Sequence, residues 1–121
     1  EFVEFAHPDP AELDRVFRLM GFTPVAKHRS KAVTLYRQGD VNYVVNAEPD
    51  SFAQAFAREH GPCACAMAFR VVDAKAAYER ALSLGAEPFE GGTVGPNELT
   101  IPAIRGIGGS LLYFVDRYAG H

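Results

Sequence analysis

The chain repeats itself, and that repeat limits its fold more than any other feature. Laying Gly21 over Gly85 without a gap brings Phe5 onto Phe69, Asp9 onto Asp73 and Pro24 onto Pro88. Apolar Val3 and Met20 fall on apolar Met67 and Leu84. The shared pattern is an apolar strand, an Asp, an amphipathic helix, a Gly and a Pro. Phe2-Val3-Glu4-Phe5-Ala6 and Ala66-Met67-Ala68-Phe69-Arg70-Val71 read as the strands. Asp9 and Asp73 sit where a carboxylate caps a helix by accepting from a free backbone N–H. Pro10 is tolerated as a first helical residue. Leu13, Val16, Phe17 and Met20 recur at helical spacing, as do Ala74, Ala77, Tyr78, Ala81 and Leu84. Gly21 and Gly85 supply the left-handed residue that ends each helix, and Pro24 and Pro88 prevent its resumption.

The second halves match at a shifted offset. Gly39 over Gly109 brings Val41 onto Leu111, Tyr43 onto Tyr113, Val45 onto Val115 and Asn46 onto Asp116. The extra residues of the second copy fall in its turn-rich loops, around Glu90-Gly91-Gly92-Thr93-Val94-Gly95-Pro96. Each unit therefore reads strand, helix, three strands. The units cover about residues 1–49 and 63–118, and residues 51–60 form a linking helix capped by Ser51 and stopped by Gly61-Pro62. Neither unit closes its sheet alone. The expected fold is a single α+β domain over 1–121 in which two βαβββ units form a curved mixed sheet with a central cleft, the glyoxalase-like or vicinal-oxygen-chelate architecture. The chain starts at Glu1 on the edge of a strand pattern and stops directly after a strand, so it is expected to be an excised piece of a longer, two-domain chain.

With 48% hydrophobic residues the chain can bury its own core. Twelve basic and 15 acidic residues give a net charge of −3, against the basic excess of a nucleic-acid binder. Apolar runs are too short to span a membrane. Cys63 and Cys65 lie two apart on a strand, so both thiols share a side. A structural zinc site would need more ligands. Two buried free thiols fit a reducing cytoplasm.

Several blocks together resemble one family. They are His28-Arg29-Ser30-Lys31 followed by Leu35-Tyr36-Arg37-Gln38-Gly39, and His60-Gly61-Pro62 leading into Met67-Ala68-Phe69-Arg70-Val71. They continue with Ala77-Tyr78-Glu79-Arg80-Ala81 and Leu84-Gly85-Ala86, then Glu98-Leu99-Thr100-Ile101-Pro102-Ala103-Ile104-Arg105-Gly106-Ile107-Gly108-Gly109, Leu112-Tyr113 and Asp116-Arg117-Tyr118. Spread over nearly the whole chain, they resemble the N-terminal domain of 4-hydroxyphenylpyruvate dioxygenases. The resemblance implies a scaffold domain without its own metal. It implies a partner in the same chain, a C-terminal catalytic domain that holds Fe(II) through two His and one carboxylate and binds a para-hydroxyphenyl α-keto acid. The parent reaction would be the oxidative decarboxylation, ring hydroxylation and side-chain migration of tyrosine breakdown.

The residues can be tested for a metal site directly. Metal-binding members of the fold draw ligands from four equivalent strand positions, which the repeat places near Phe2, Tyr43, Ala66 and Tyr113. None is a good N or O donor for a divalent ion, a neutral phenol included. A one-residue slip would put Glu1 at the first position. His7, His28, His60 and His121 are scattered without ligand spacing. No catalytic residue and no cofactor are therefore expected in this chain.

Other motifs have plain readings. Gly106-Ile107-Gly108-Gly109 precedes a strand and lacks the Lys of a phosphate loop, so a tight hairpin turn is expected. Lys27, His28, Arg29 and Lys31 read as a solvated basic hairpin that could also hold an anion. Ser30, Ser51 and Ser110 have no evident His partner. Tyr43 and Tyr113 are expected to meet across the cleft, either as core filling or as the lining of a small aromatic pocket. Three functions follow: a non-catalytic dioxygenase domain, a stand-alone small-molecule-binding module, or a metal-dependent isomerase or lyase. A surface meant for a second domain would also favour self-association, so a dimer is expected.

Overall fold

In the computed structural model the described residues are 1–89 and 101–116. The loop motif Glu90–Pro96, the segment Glu98–Thr100 of the family block, Arg117, Tyr118 and His121 lie outside them. The chain forms two compact units. The first runs from Phe2 to Ala66, and the second from Met67 onward. Glu1 groups with the second unit, where its carboxylate pairs with Arg70 at 3.1 Å.

The first unit contains β1 (Phe2–Ala6), α1 (Pro10–Leu19), β2 (Thr23–Lys27), β3 (Val33–Gln38), β4 (Val41–Asn46) and α2 (Phe52–His60). β5 (Cys63–Arg70) begins in the first unit and ends in the second. The second unit adds α3 (Ala74–Ser83), β6 (Pro88–Phe89), β7 (Ala103–Arg105), a 3-10 turn at Ile107–Gly109 and β8 (Leu111–Val115). The strand order in the first unit is β2-β3-β4-β1, and in the second β6-β7-β8-β5. The order is the same one twice, with β1 and β5 in the same role. β1 runs parallel to β4, while β2–β3–β4 and β6–β7–β8 are antiparallel.

The repeat extends to individual hydrogen bonds. Asp9 accepts from Ala11 N at 3.2 Å and Asp73 from Ala76 N at 3.0 Å, so each helix has its carboxylate cap. At the other end Gly21 (φ 95°) and Gly85 (φ 102°) take positive φ that a side chain would resist. Phe22 N then bonds Phe17 O (2.9 Å) and Gly21 N bonds Arg18 O (3.1 Å). In the second copy Ala86 N bonds Ala81 O (3.0 Å) and Gly85 N bonds Leu82 O (3.1 Å). Both are the same Schellman closure. α2 is capped by Ser51, whose hydroxyl accepts from Gln54 N at 3.2 Å, and it packs on β1.

The first unit's core is aromatic. Phe17 of α1 is buried among Phe5, Phe22, Tyr36 and Tyr43, with centroids 5.1 to 5.9 Å away. The second unit buries Ala68, Ala103, Ile104 and Leu111, and α3 contributes only Ala74 to its fully buried residues.

Candidate functional site

Strand alternation sorts the first unit's side chains into two faces. Val3 pairs with Tyr43 and Phe5 with Val45 in the parallel register. Tyr43 therefore shares the α1 face with Phe5 (4.8 Å) and stacks on Phe22 (4.4 Å, 17° between planes). Phe2 and Glu4 point to the other face of β1. Phe2 and Tyr43 consequently do not line one surface, contrary to the sequence expectation. Of the other expected positions, Ala66 is buried on β5. Tyr113 is half-buried in the second unit and lies on the same face of β8 as the fully buried Leu111.

The face opposite α1 holds a group that the sequence reading passed over. Glu4 is 6% exposed, and among the described residues it is the buried charged one. Asn46 Nδ2 donates to its carboxylate at 3.1 Å. Asn46 Oδ1 accepts from Glu48 N at 3.1 Å. Gln54 Nε2 donates to the carbonyls of Asn46 and His7, each at 3.1 Å, and so fastens α2 to both strands. The Cys65 thiol donates to the Glu4 carbonyl at 3.6 Å. The available signal was a lone acid in an otherwise apolar strand. A carboxylate held by an amide can orient or accept a proton. It cannot hold a metal by itself.

Among the described histidines, His7 and His28 serve turns. His7 Nδ1 accepts from Asp9 N at 2.8 Å, and His28 Nδ1 accepts from Ser30 N (3.1 Å) and Lys31 N (3.0 Å). His60 packs its ring on Phe56 at 4.3 Å. Among the described residues no group of three or more His, Cys, Asp or Glu side chains converges to hold a metal ion. An Fe(II) site of two His and one carboxylate does not fit them. The serines fit no triad either, since Ser51 caps α2 and Ser110 bonds Ile107 O (2.8 Å). Ser30 Oγ lies 3.4 Å from His28 Nδ1 in an exposed turn, and that nitrogen is already the acceptor of two backbone amides. Gly106–Gly109 forms the turn between antiparallel β7 and β8, closed by Gly106 N to Ser110 O at 2.7 Å.

Two perturbed groups are structural. Tyr36 donates its hydroxyl to Asp14 at 2.6 Å, tying β3 to α1. Burial, then the Asp14 bond, pushes its phenol up to about 12. The same hydroxyl, helped by Arg18 at 2.9 Å, holds the Asp14 carboxyl below its ordinary range. Cys63 and Cys65 are free thiols. Burial raises both, and the Glu4 charge raises Cys65 further.

Two βαβββ units of identical strand order in one chain define a glyoxalase-like α+β protein. The model of the family described as hydroxyphenylpyruvate dioxygenase (HPPD), N-terminal, matches residues 1–121, and the chain belongs to that family. It is 58% identical over 118 residues to a 4-hydroxyphenylpyruvate dioxygenase of Pseudomonas sp. (strain P.J. 874), covering 98% of this chain and 33% of that protein. It is 57% identical to hemolysin VllY of Vibrio vulnificus, covering 98% of this chain and 34% of that one. Among solved structures, a xylose isomerase-like TIM barrel/4-hydroxyphenylpyruvate dioxygenase fusion protein superposes with a TM-score of 0.85 at 48% identity, over 99% of this chain and 20% of that one. The chain spans about a third of the length of the curated relatives it matches.

Proposed function

We propose that this chain is the non-catalytic scaffold domain of a 4-hydroxyphenylpyruvate dioxygenase-like enzyme of tyrosine catabolism, with Fe(II) and the keto acid held by a C-terminal domain of the same protein. The observation that carries the reading is the 58% identity over 98% of the chain to one third of a 4-hydroxyphenylpyruvate dioxygenase. The turn bonds of His7 and His28, and the packing of His60 on Phe56, support a scaffold role for the described residues. Exposed apolar side chains on the second unit, Met67 (46%), Phe69 (45%), Val72 (97%) and Leu84 (74%), support a role in contacts with that domain or with a second copy in a dimer. The free thiols support a reducing, cytoplasmic setting. No helix among the described residues is long and apolar enough to cross a membrane.

The test loads the chain anaerobically with Fe(II), removes the excess, and measures retained iron and oxygen uptake with 4-hydroxyphenylpyruvate. Substoichiometric iron and no uptake by the chain, with uptake by the complete protein, are the expected results. Stoichiometric iron resistant to mild chelation would overturn the scaffold reading and favour a metal-dependent isomerase or lyase. The binding-module reading is disfavoured by Tyr43, whose ring is already stacked on Phe22.

A further inference from the structure

We infer that His28 is a pH-sensitive latch on the turn between β2 and β3. Its Nδ1 is the shared acceptor for two backbone donors, Ser30 N at 3.1 Å and Lys31 N at 3.0 Å, with Ser30 Oγ 3.4 Å away. A ring nitrogen accepts hydrogen bonds only while it carries no proton. Protonation at Nδ1 places a third N–H against two others, so both backbone bonds are lost together.

Charge acts in the same direction. Lys27, Arg29 and Lys31 flank the ring along its own segment, and an imidazolium adds a fourth positive charge to that run. Across from it, Glu48 at the start of the β4–α2 connection holds the far side of the turn by accepting from Ala32 N. Glu48 thus bonds the backbone at Ala32, while the amides of Ser30 and Lys31 donate to the imidazole. The strand ends themselves stay closed, because His28 N bonds Val33 O (2.8 Å) and Ala47 N bonds Ala32 O (2.7 Å). The latch therefore governs residues 29–31 and leaves the sheet intact. His7 marks the contrast. Its Nδ1 takes a single amide, Asp9 N, and the following helix has its own carboxylate cap from Asp9.

A histidine changes charge between about pH 5 and 8, where no other ordinary side chain does. The bonds exist in the neutral form, so the turn is closed at the upper end of that range and opens as pH falls. The experiment is amide exchange by NMR on the chain, corrected for intrinsic exchange, alongside the His28 ring proton shifts. Between about pH 8 and pH 5, Ser30 and Lys31 should lose protection about five- to tenfold, in step with the His28 titration, while β3 amides keep theirs. His28→Asn is the control, since its side-chain oxygen accepts the same backbone bonds and does not titrate. That variant should stay protected at both ends. Constant protection while the His28 ring titrates would overturn the latch, as would an equal loss in His28→Asn.

Discussion

The carboxylate of Asp116, just past the end of β8, accepts a hydrogen bond from Ala74 N, the first residue of α3, at 2.7 Å. Asp73 accepts from Ala76 N on the same helix, so α3 begins on two carboxylates. In the first copy Asn46 occupies the place of Asp116 by the repeat and is directed to Glu4 instead. One position of an ancient duplication thus caps a helix in one unit and fixes a buried acid in the other.

Asp116→Ala should lower stability by about 1 kcal/mol, the usual cost of losing an acceptor at a helix N-terminus. Asp116→Asn keeps an acceptor and should cost less. Urea denaturation followed by circular dichroism reads both, and two equal midpoints for the wild type and Asp116→Ala would show the bond to be idle.

Phe17→Ala should be far more costly, about 3–5 kcal/mol, because the ring leaves a cavity between four others. A small domain has roughly 5–15 kcal/mol in all. Near-ultraviolet dichroism should therefore collapse well below the wild-type melting temperature. A change under about 1 kcal/mol would mean that the aromatic cluster repacks freely.

The Tyr36–Asp14 bond sets an alkaline limit. The phenol is raised in the folded state, to about 12, against an unfolded value of 10.0. Its stabilisation is whole below the unfolded value and is lost as pH rises from there through the folded one. Asp14 runs the other way, because its carboxyl is lowered from 3.8; its share is present above that value and lost as pH falls through the folded one. The difference between the ultraviolet titrations of the wild type and Tyr36→Phe should isolate a phenol that ionises at about pH 12. A difference signal centred at about pH 10 would contradict the assignment.

Both thiols should react slowly with a disulfide reagent, since the thiolate is the nucleophile and burial disfavours it. Cys63, half-buried, should react first; Cys65, with no exposed surface, should react only when the chain is unfolded. Equal rates in the folded chain would rule out the packing described for β5.

Much of this was legible in the residues. The caps Asp9, Asp73 and Ser51, the stops Gly21 and Gly85 and the order of elements depend on local chemistry that repeats visibly. The facing of Tyr43 was not legible, because it depends on the register of a parallel pair far apart in sequence. A shift of one residue reverses every side chain on a strand. The pairing of Val3 with Tyr43 puts the phenol on the α1 side and leaves Glu4 on the other. Glu4 escaped notice for a related reason: one acid in an apolar strand reads as a solvent-facing position until its partners Asn46 and Cys65 arrive from distant strands.

The two helices also differ in how much variation they can absorb. α1 is committed through Phe17 to four rings, whereas α3 fully buries a single alanine. Under neutral drift the outer residues of α3 can be rewritten with little loss, while the inward face of α1 stays legible as ancestry. Adaptive novelty in this family, whether a new surface, a new fusion junction or a new specificity, has its cheapest raw material in the later copy of the duplicated unit.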